Sequence, residues 1–210
     1  MARLLKFRRP LPRKDHAPPP AVPSDLADDP EVILRGVEEA DIDAYLAAGV
    51  SPEIHRMYGG DPGNLPEASV ARARDWFEDI ANAACAFVIV ADGRAVGHIR
   101  LHSFEMHDGR AKLAIGLFRE EHLGRGIGRK AIALILAHAF EEMRLHRVDL
   151  RVLGFNKRAI RCYTACGFVL EGTEREAVLI GNTWQDDCIM SVLRHEYLAA
   201  KAKGSGPTLA

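Results

Sequence analysis

The sequence predicts an α/β domain of the mixed α+β kind, with a central mixed, mostly antiparallel sheet of about six to seven strands flanked by helices. Three observations carry that expectation. The 210 residues are 48% hydrophobic and 27% charged, enough for one domain with a real core. The element order reads strand, helices, three antiparallel strands, helix, strand, helix, two strands, which is not the regular parallel alternation. A hairpin signal, Asp92-Gly93-Arg94, joins two of the strands.

The elements follow in chain order. Residues 1–30 carry Pro10, Pro12, Pro18, Pro19, Pro20, Pro23 and Pro30, which deny the backbone regular hydrogen bonding. They read as a disordered, Pro-rich arm with basic residues Arg8, Arg9, Arg13 and Lys14. The folded domain is expected over 31–197, with a flexible tail over 198–210. Residues 32–37 read as a strand, and 38–48 as a helix with Ile42, Tyr45 and Leu46 at helix-face spacing. Helices are expected around 52–58 and 66–84, separated by Gly59-Gly60-Asp61-Pro62-Gly63-Asn64, which is turn chemistry. Strands follow at 85–91, 95–102 and 111–118, then an amphipathic helix over 126–143. A strand at 148–153, a helix at 156–165, a strand opening at 168–171 and a last strand at 188–193 complete the order.

Net charge is −1, so a nucleic-acid coat gains no support from the overall electrostatics. No apolar run is long enough to span a bilayer, and residues 1–9 lack the apolar centre of a secretory signal. The four cysteines, Cys85, Cys162, Cys166 and Cys188, lack the paired spacing of a zinc site. They read as buried free thiols in a reducing, cytoplasmic setting, with no metal and no membrane partner expected.

The chemistry concentrates at Gly124-Arg125-Gly126-Ile127-Gly128-Arg129-Lys130, between a strand and the long helix. Glycine lets backbone amides approach an anion closely, and the helix N-terminus adds free N–H groups and a positive dipole. A phosphate cradle is the physical reading. The nucleoside-triphosphate loop fails, because Lys130 is preceded by Arg129 and not followed by Ser or Thr in that register. The dinucleotide pattern fails too. Arg119 to Leu123 intervene between strand and turn, and Asp149 falls inside its strand.

A second segment, Asn156-Lys-Arg-Ala159-Ile-Arg-Cys-Tyr163-Thr-Ala-Cys-Gly167-Phe168, resembles a signature of the GNAT superfamily of N-acetyltransferases. The glycine-rich turn resembles that family's acetyl-CoA motif, and the two stand in the family's order and separation. Residues 111–118, 122–128 and 187–197 are similar to the branch that includes ribosomal-protein and spermidine N-acetyltransferases. The resemblance covers residues 31–197 and implies an enzyme. Its expected reaction moves an acetyl group from the co-substrate acetyl-CoA to a primary amine by direct attack. The acceptor would be a small cationic amine or a protein or peptide N-terminus, ribosomal protein among them. A non-catalytic acyl-CoA sensor is the alternative, and the family's frequent homodimers raise the same expectation here.

The resemblance also implies roles. Backbone groups of Leu117, Phe118 and Arg119 would pair with the pantetheine arm, one amide polarising the thioester carbonyl. Amides from Gly124 to Lys130 would hold the pyrophosphate, and Asn156 would hydrogen-bond the cofactor. Tyr163 would donate a proton to the departing thiolate, which requires local tuning of the phenol's pKa, the thiol's or both. Two departures stand out. Leu123 occupies the first position of the acetyl-CoA motif, and Lys112 stands where many members of the branch carry glutamate. The general base is therefore open among His98, His102, Glu120 and Asp108. For the acceptor, Trp76, Phe77 and Trp184 could form apolar walls, Trp76 otherwise being a helix anchor. The acids Asp75, Glu78, Asp79, Glu171, Glu174, Glu176, Asp186 and Asp187 would suit a cationic amine.

Overall fold

The computed structural model describes residues 30–204, so the arm expected over 1–30, apart from Pro30, and the end of the tail lie outside the described residues. Seven strands form one sheet: β1 (Val32–Arg35), β2 (Ala86–Ala91), β3 (Arg94–Glu105), β4 (Arg110–Leu117), β5 (Arg147–Leu153), β6 (Val169–Ile180) and β7 (Thr183–Leu193). Their spatial order is β1-β2-β3-β4-β5-β7-β6, antiparallel throughout except between β4 and β5.

Among the described residues, six α-helices flank it. They are α1 (Ala40–Ala48), α2 (Pro52–Met57), α3 (Val70–Ala81), α4 (Ile127–Ala137), α5 (Lys157–Ala165) and α6 (Arg194–Ala202). Side chains start three of them: Ser51 accepts from the Ile54 N–H, Ser69 from Arg72 and Asn156 from Ala159. Helix α4 starts differently, on Gly126 at φ 82°, a left-handed conformation that glycine adopts without steric cost. It continues as a π-helical turn, His138–Glu142.

The alternation of each central strand divides the core in two. On one face Ile99, Leu101, Leu113, Val148 and Leu150 pack with Ile132, Ile135 and Phe140 of α4 and its extension. On the other, Val88, Val90 and Phe118 meet Trp76 and Ile80 of α3. Tyr45 of α1 stacks on Trp76 at 4.6 Å between ring centroids, so Trp76 is a buried helix anchor.

Two expectations change. Strand β6 runs to Ile180 and β7 starts at Thr183, so the chain between 172 and 187 is a long hairpin and not loop. Its edge strand is mostly exposed and carries Glu171, Glu174, Arg175 and Glu176, which removes the apolar alternation that marks a strand. The tail expected from 198 is helical through Ala202. Tyr197 is buried there and donates to Glu141 at 2.6 Å, while Lys201 pairs with the same carboxylate at 2.7 Å.

Candidate active site

Strands β4 and β5 pair only at Arg110–Arg147, Ala111–Val148 and Lys112–Asp149. Beyond that point β4 stays with β3 as far as Leu117, whereas β5 follows β7 as far as Leu153. The sheet therefore opens as a wedge. Asp149 closes its narrow end, buried and ion-paired to Arg110 at 3.3 Å and Arg147 at 3.5 Å.

A cavity of about 810 Å³ fills the wedge, bounded by Met57 and Tyr58 on one side of the sheet and by Ile132 and Cys162 on the other. The Phe118 N–H donates to the Val96 carbonyl at 2.8 Å, toward β3. By strand alternation, the N–H and C=O groups of Leu117 and Ile115 point the other way, into the wedge. The Ile115 carbonyl accepts there from Tyr58 Oη at 2.6 Å. A strand edge with unpaired amides in a cavity can take an extended amide chain as an added strand.

The glycine turn lies at the same cavity. Gly124, Gly126, Gly128 and Arg129 line it. The first intrahelical bond of α4 runs from the Lys130 N–H to the Gly126 carbonyl. The amides of Ile127, Gly128 and Arg129 precede that bond and have no helical acceptor. No side chain caps them. His122 also lines the cavity, and its Nδ1 is buried without a hydrogen-bond partner. The side chains of the other turn residues point elsewhere, although the Ile127 amide stays among the free ones. Arg125 faces Asp92 at 3.8 Å, Ile127 is buried in the core, and Lys130 donates to the Pro30 carbonyl at 2.8 Å.

Of the expected pantetheine-binding stretch, only Leu117 borders the cavity. The Phe118 amide is already paired and its ring packs edge-on against Trp76. Arg119 reaches the Ala47 carbonyl at 2.5 Å. Asn156 lines the cavity, but its Oδ1 caps α5, which leaves its Nδ2 side for another partner.

Tyr163 lines the cavity too. Burial pushes its pKa well above the ordinary phenol value, with Tyr58 and the two neighbouring thiols adding to the rise. The phenol is thus held protonated, as a hydrogen-bond donor, and its own pKa moves away from that of a thiol. Cys162 sits one residue away with its pKa lowered by a hydrogen bond from Cys166 and by Arg129. Cys166 is buried and within 3.8 Å of the Arg129 carbonyl.

The candidate bases separate. His98 Nδ1 accepts from Trp76 Nε1 at 3.3 Å, so its lone pair is engaged, and burial and then Arg100 lower its pKa to about 4. His102 lines the wedge cavity, beside Ser103 Oγ at 3.0 Å, its pKa lowered by burial and then by Arg100 and Lys112. Glu120 is exposed and bonded to the Ser51 hydroxyl, and Asp108 is exposed in the turn between β3 and β4.

Of the acids expected around an acceptor, only Asp187 lines the wedge cavity, and it is ion-paired to Arg151. Asp75, Glu78 and Asp79 are exposed on the outer side of α3. Glu171 binds Arg147, and Glu174 and Asp187 bind Arg151. Trp184 is exposed on the β6–β7 hairpin. What the sequence did not mark is Tyr58. It reaches β4 from 57 positions away, and no local pattern announces that contact.

A GNAT acetyltransferase domain model matches residues 31–169, and the chain belongs to that family. The chain is 33% identical over 105 residues to "Probable N-acetyltransferase YjcK" of Bacillus subtilis, covering 49% of this chain and 57% of that protein. It is 29% identical over 123 residues to the spermidine N(1)-acetyltransferase of Escherichia coli K12, covering 59% and 65%. The match thus spans about three fifths of these curated relatives. Among solved structures, the Vibrio cholerae spermidine N-acetyltransferase in complex with CoA and spermine superposes with a TM-score of 0.67. The identity is 25%, over 80% of this chain and 98% of that one.

Proposed function

We propose that the protein is an acetyl-CoA-dependent N-acetyltransferase that acetylates a primary amine by direct attack. The observation that carries this reading is convergence on one cavity. The inward-facing backbone of Ile115 and Leu117, the uncapped first turn of α4 and Tyr163 all border the wedge between β4 and β5. These groups fit acetyl-CoA. The α4 amides suit the pyrophosphate and the β4 edge suits the amide-bearing pantetheine arm. Asn156 Nδ2 offers a further donor to the arm.

In the transfer, the amine nitrogen forms a bond to the acetyl carbon as the carbon–sulfur bond breaks. The proton lost by the nitrogen balances the one gained by the sulfur. The Leu117 amide is placed to stabilise charge on the carbonyl oxygen, and Tyr163 to donate a hydrogen bond to the departing sulfur. Among the described residues, Asp187, the one carboxylate lining the wedge, is held by Arg151 at 3.1 Å, Lys112 stands on β4 and His98 is engaged by Trp76, so no unpaired carboxylate is there to act as base. An amine that arrives neutral needs none.

The test is thiol release from acetyl-CoA against polyamines, aminoglycosides, amino acids and short peptides. Amine-dependent release supports the reading. Tight acetyl-CoA binding with no release across the panel favours the acyl-CoA sensor, a reading that Lys112 and the engaged His98 also suit.

A further inference from the structure

Beside the wedge lies a second cavity of about 320 Å³, sharing Ile54, Tyr58, Ala114, Ile115 and Leu117 with the first. It borders none of the glycine turn, Asn156 or Tyr163, and takes its far wall from α1, α2 and the turn between them. It therefore adjoins the proposed thioester site from the side opposite the pyrophosphate cradle. That is where an acceptor would approach.

Its charge is one-sided. Arg72 of α3 and Arg100 of β3 both line it, and no aspartate or glutamate does. Among the described residues, neither guanidinium meets a carboxylate, and the Nε of Arg100 is buried without any hydrogen-bond partner. Three other partly buried arginines have carboxylate partners: Arg35 with Asp41 at 2.7 Å, Arg110 with Asp149, and Arg147 with Glu171. Leaving a half-buried guanidinium donor unsatisfied costs free energy that a bound anion would recover. Arg100 stands opposite Ala114 in the strand register, so the small neighbour leaves the guanidinium room to receive a ligand. Lys112 and His102, one register step along the same sheet face, bring no negative charge either.

We infer that the acceptor is a small amine that also carries a carboxylate, bound by the Arg100 guanidinium with Arg72 beside it. This rests on the proposed transfer to an amine and names its substrate class. A polyamine, being a polycation, would meet Arg72 and Arg100 with like charge and no compensating acid.

The experiment compares kcat/KM for amines of similar basicity, 4-aminobutyrate against butylamine, in the full chain and in Arg100→Gln and Arg100→Lys variants. Parallel arms use L-glutamate, peptides beginning with aspartate or with alanine, and spermidine. The expected result is a preference of about tenfold or more for 4-aminobutyrate over butylamine. Arg100→Gln should abolish most of it and Arg100→Lys keep part, with both variants retaining a cooperative thermal transition. Efficient acetylation of the aspartate peptide and not of free amino acids assigns the same carboxylate site to a peptide source. Spermidine or butylamine turning over as well as 4-aminobutyrate overturns the inference, as does a preference unchanged in Arg100→Gln. If no amine supports thiol release, the proposed reaction fails by itself. Calorimetry of 4-aminobutyrate binding in the presence of CoA then decides the anion site. Binding lost in Arg100→Gln supports it, and no binding to the unmodified chain overturns it.

Discussion

Tyr58 Oη donates to the Ile115 carbonyl at 2.6 Å, and through that bond the end of α2 is fastened over the strand that borders both cavities. Helix α2 buries no residue of its own, and besides this bond it is held by Ser51 to Glu120 and by Arg56 over the Phe155 ring at 4.1 Å. Tyr58→Phe keeps the ring and removes the donor. The expected loss is about 1 kcal/mol, or roughly 2–4 °C in Tm, with KM rising for acetyl-CoA and acceptor together. Thermal melts and two-substrate kinetics check it, and a change in only one KM would place Tyr58 in one cavity's chemistry alone.

Tyr163→Phe removes the hydroxyl and leaves the half-buried ring packed edge-on against Phe168 at 5.8 Å. We expect kcat to fall on the order of 10²-fold while the Kd for acetyl-CoA changes little. Because burial holds the phenol protonated, the rate should show no alkaline limb from Tyr163 up to about pH 9. Equal turnover in the variant would remove Tyr163 from the chemistry.

His98 gives stability a pH dependence. Its pKa falls from 6.5 to about 4 in the folded chain, so between those values the unfolded state binds a proton that the native state refuses. Stability is then full above about pH 6.5, decreases as pH falls toward 4, and levels off below, by at most about 3 kcal/mol. Denaturant titrations at pH 7, 5.5 and 4.5 measure the slope. His98→Gln should flatten it over this window, and an unchanged slope would assign the effect to other groups.

Gly97 tests the β3–β4 contact. A Cβ there would lie 2.3 Å from the Gly116 carbonyl oxygen and 2.9 Å from the Leu117 side chain, and the carbonyl is backbone that cannot swing away. Gly97→Ala should destabilise by about 3 kcal/mol. At Gly36 an added Cβ meets nothing within 4 Å, so Gly36→Ala should stay within about 0.5 kcal/mol. Similar midpoints for the two variants would contradict the packing described.

Much of the molecule was legible in the residues because its signals are local. A glycine run before an amphipathic stretch specifies a helix that starts without a side-chain cap, and Gly126 at φ 82° does this. Asn156 and Tyr163 sit seven residues apart on α5, two turns of one helix, so their shared presence at the cavity follows from their spacing. The succession of strands and helices along the chain pointed to a mixed sheet. What failed had one local cause and one distant one. The β6 edge strand is polar on its exposed positions and so hid from an apolar pattern, and α6 depends on Glu141, which lies far away in the chain.

The sequence by itself determined the sheet's elements, the uncapped glycine turn and the placing of Asn156 and Tyr163 on one helix. Only the tertiary structure decided that β4 and β5 part after Lys112 and Asp149, and that Tyr58 closes on Ile115. It alone brought Arg72 and Arg100 into one cavity without an acid, and left Asp187, ion-paired to Arg151, as the one acid of the eight expected near the acceptor that lines the wedge. The physical reason is range. Helix starts and strand alternation are set by a few neighbouring residues. Charge balance in a cavity depends on side chains from separate elements, whose distances are fixed only when the sheet and its helices pack.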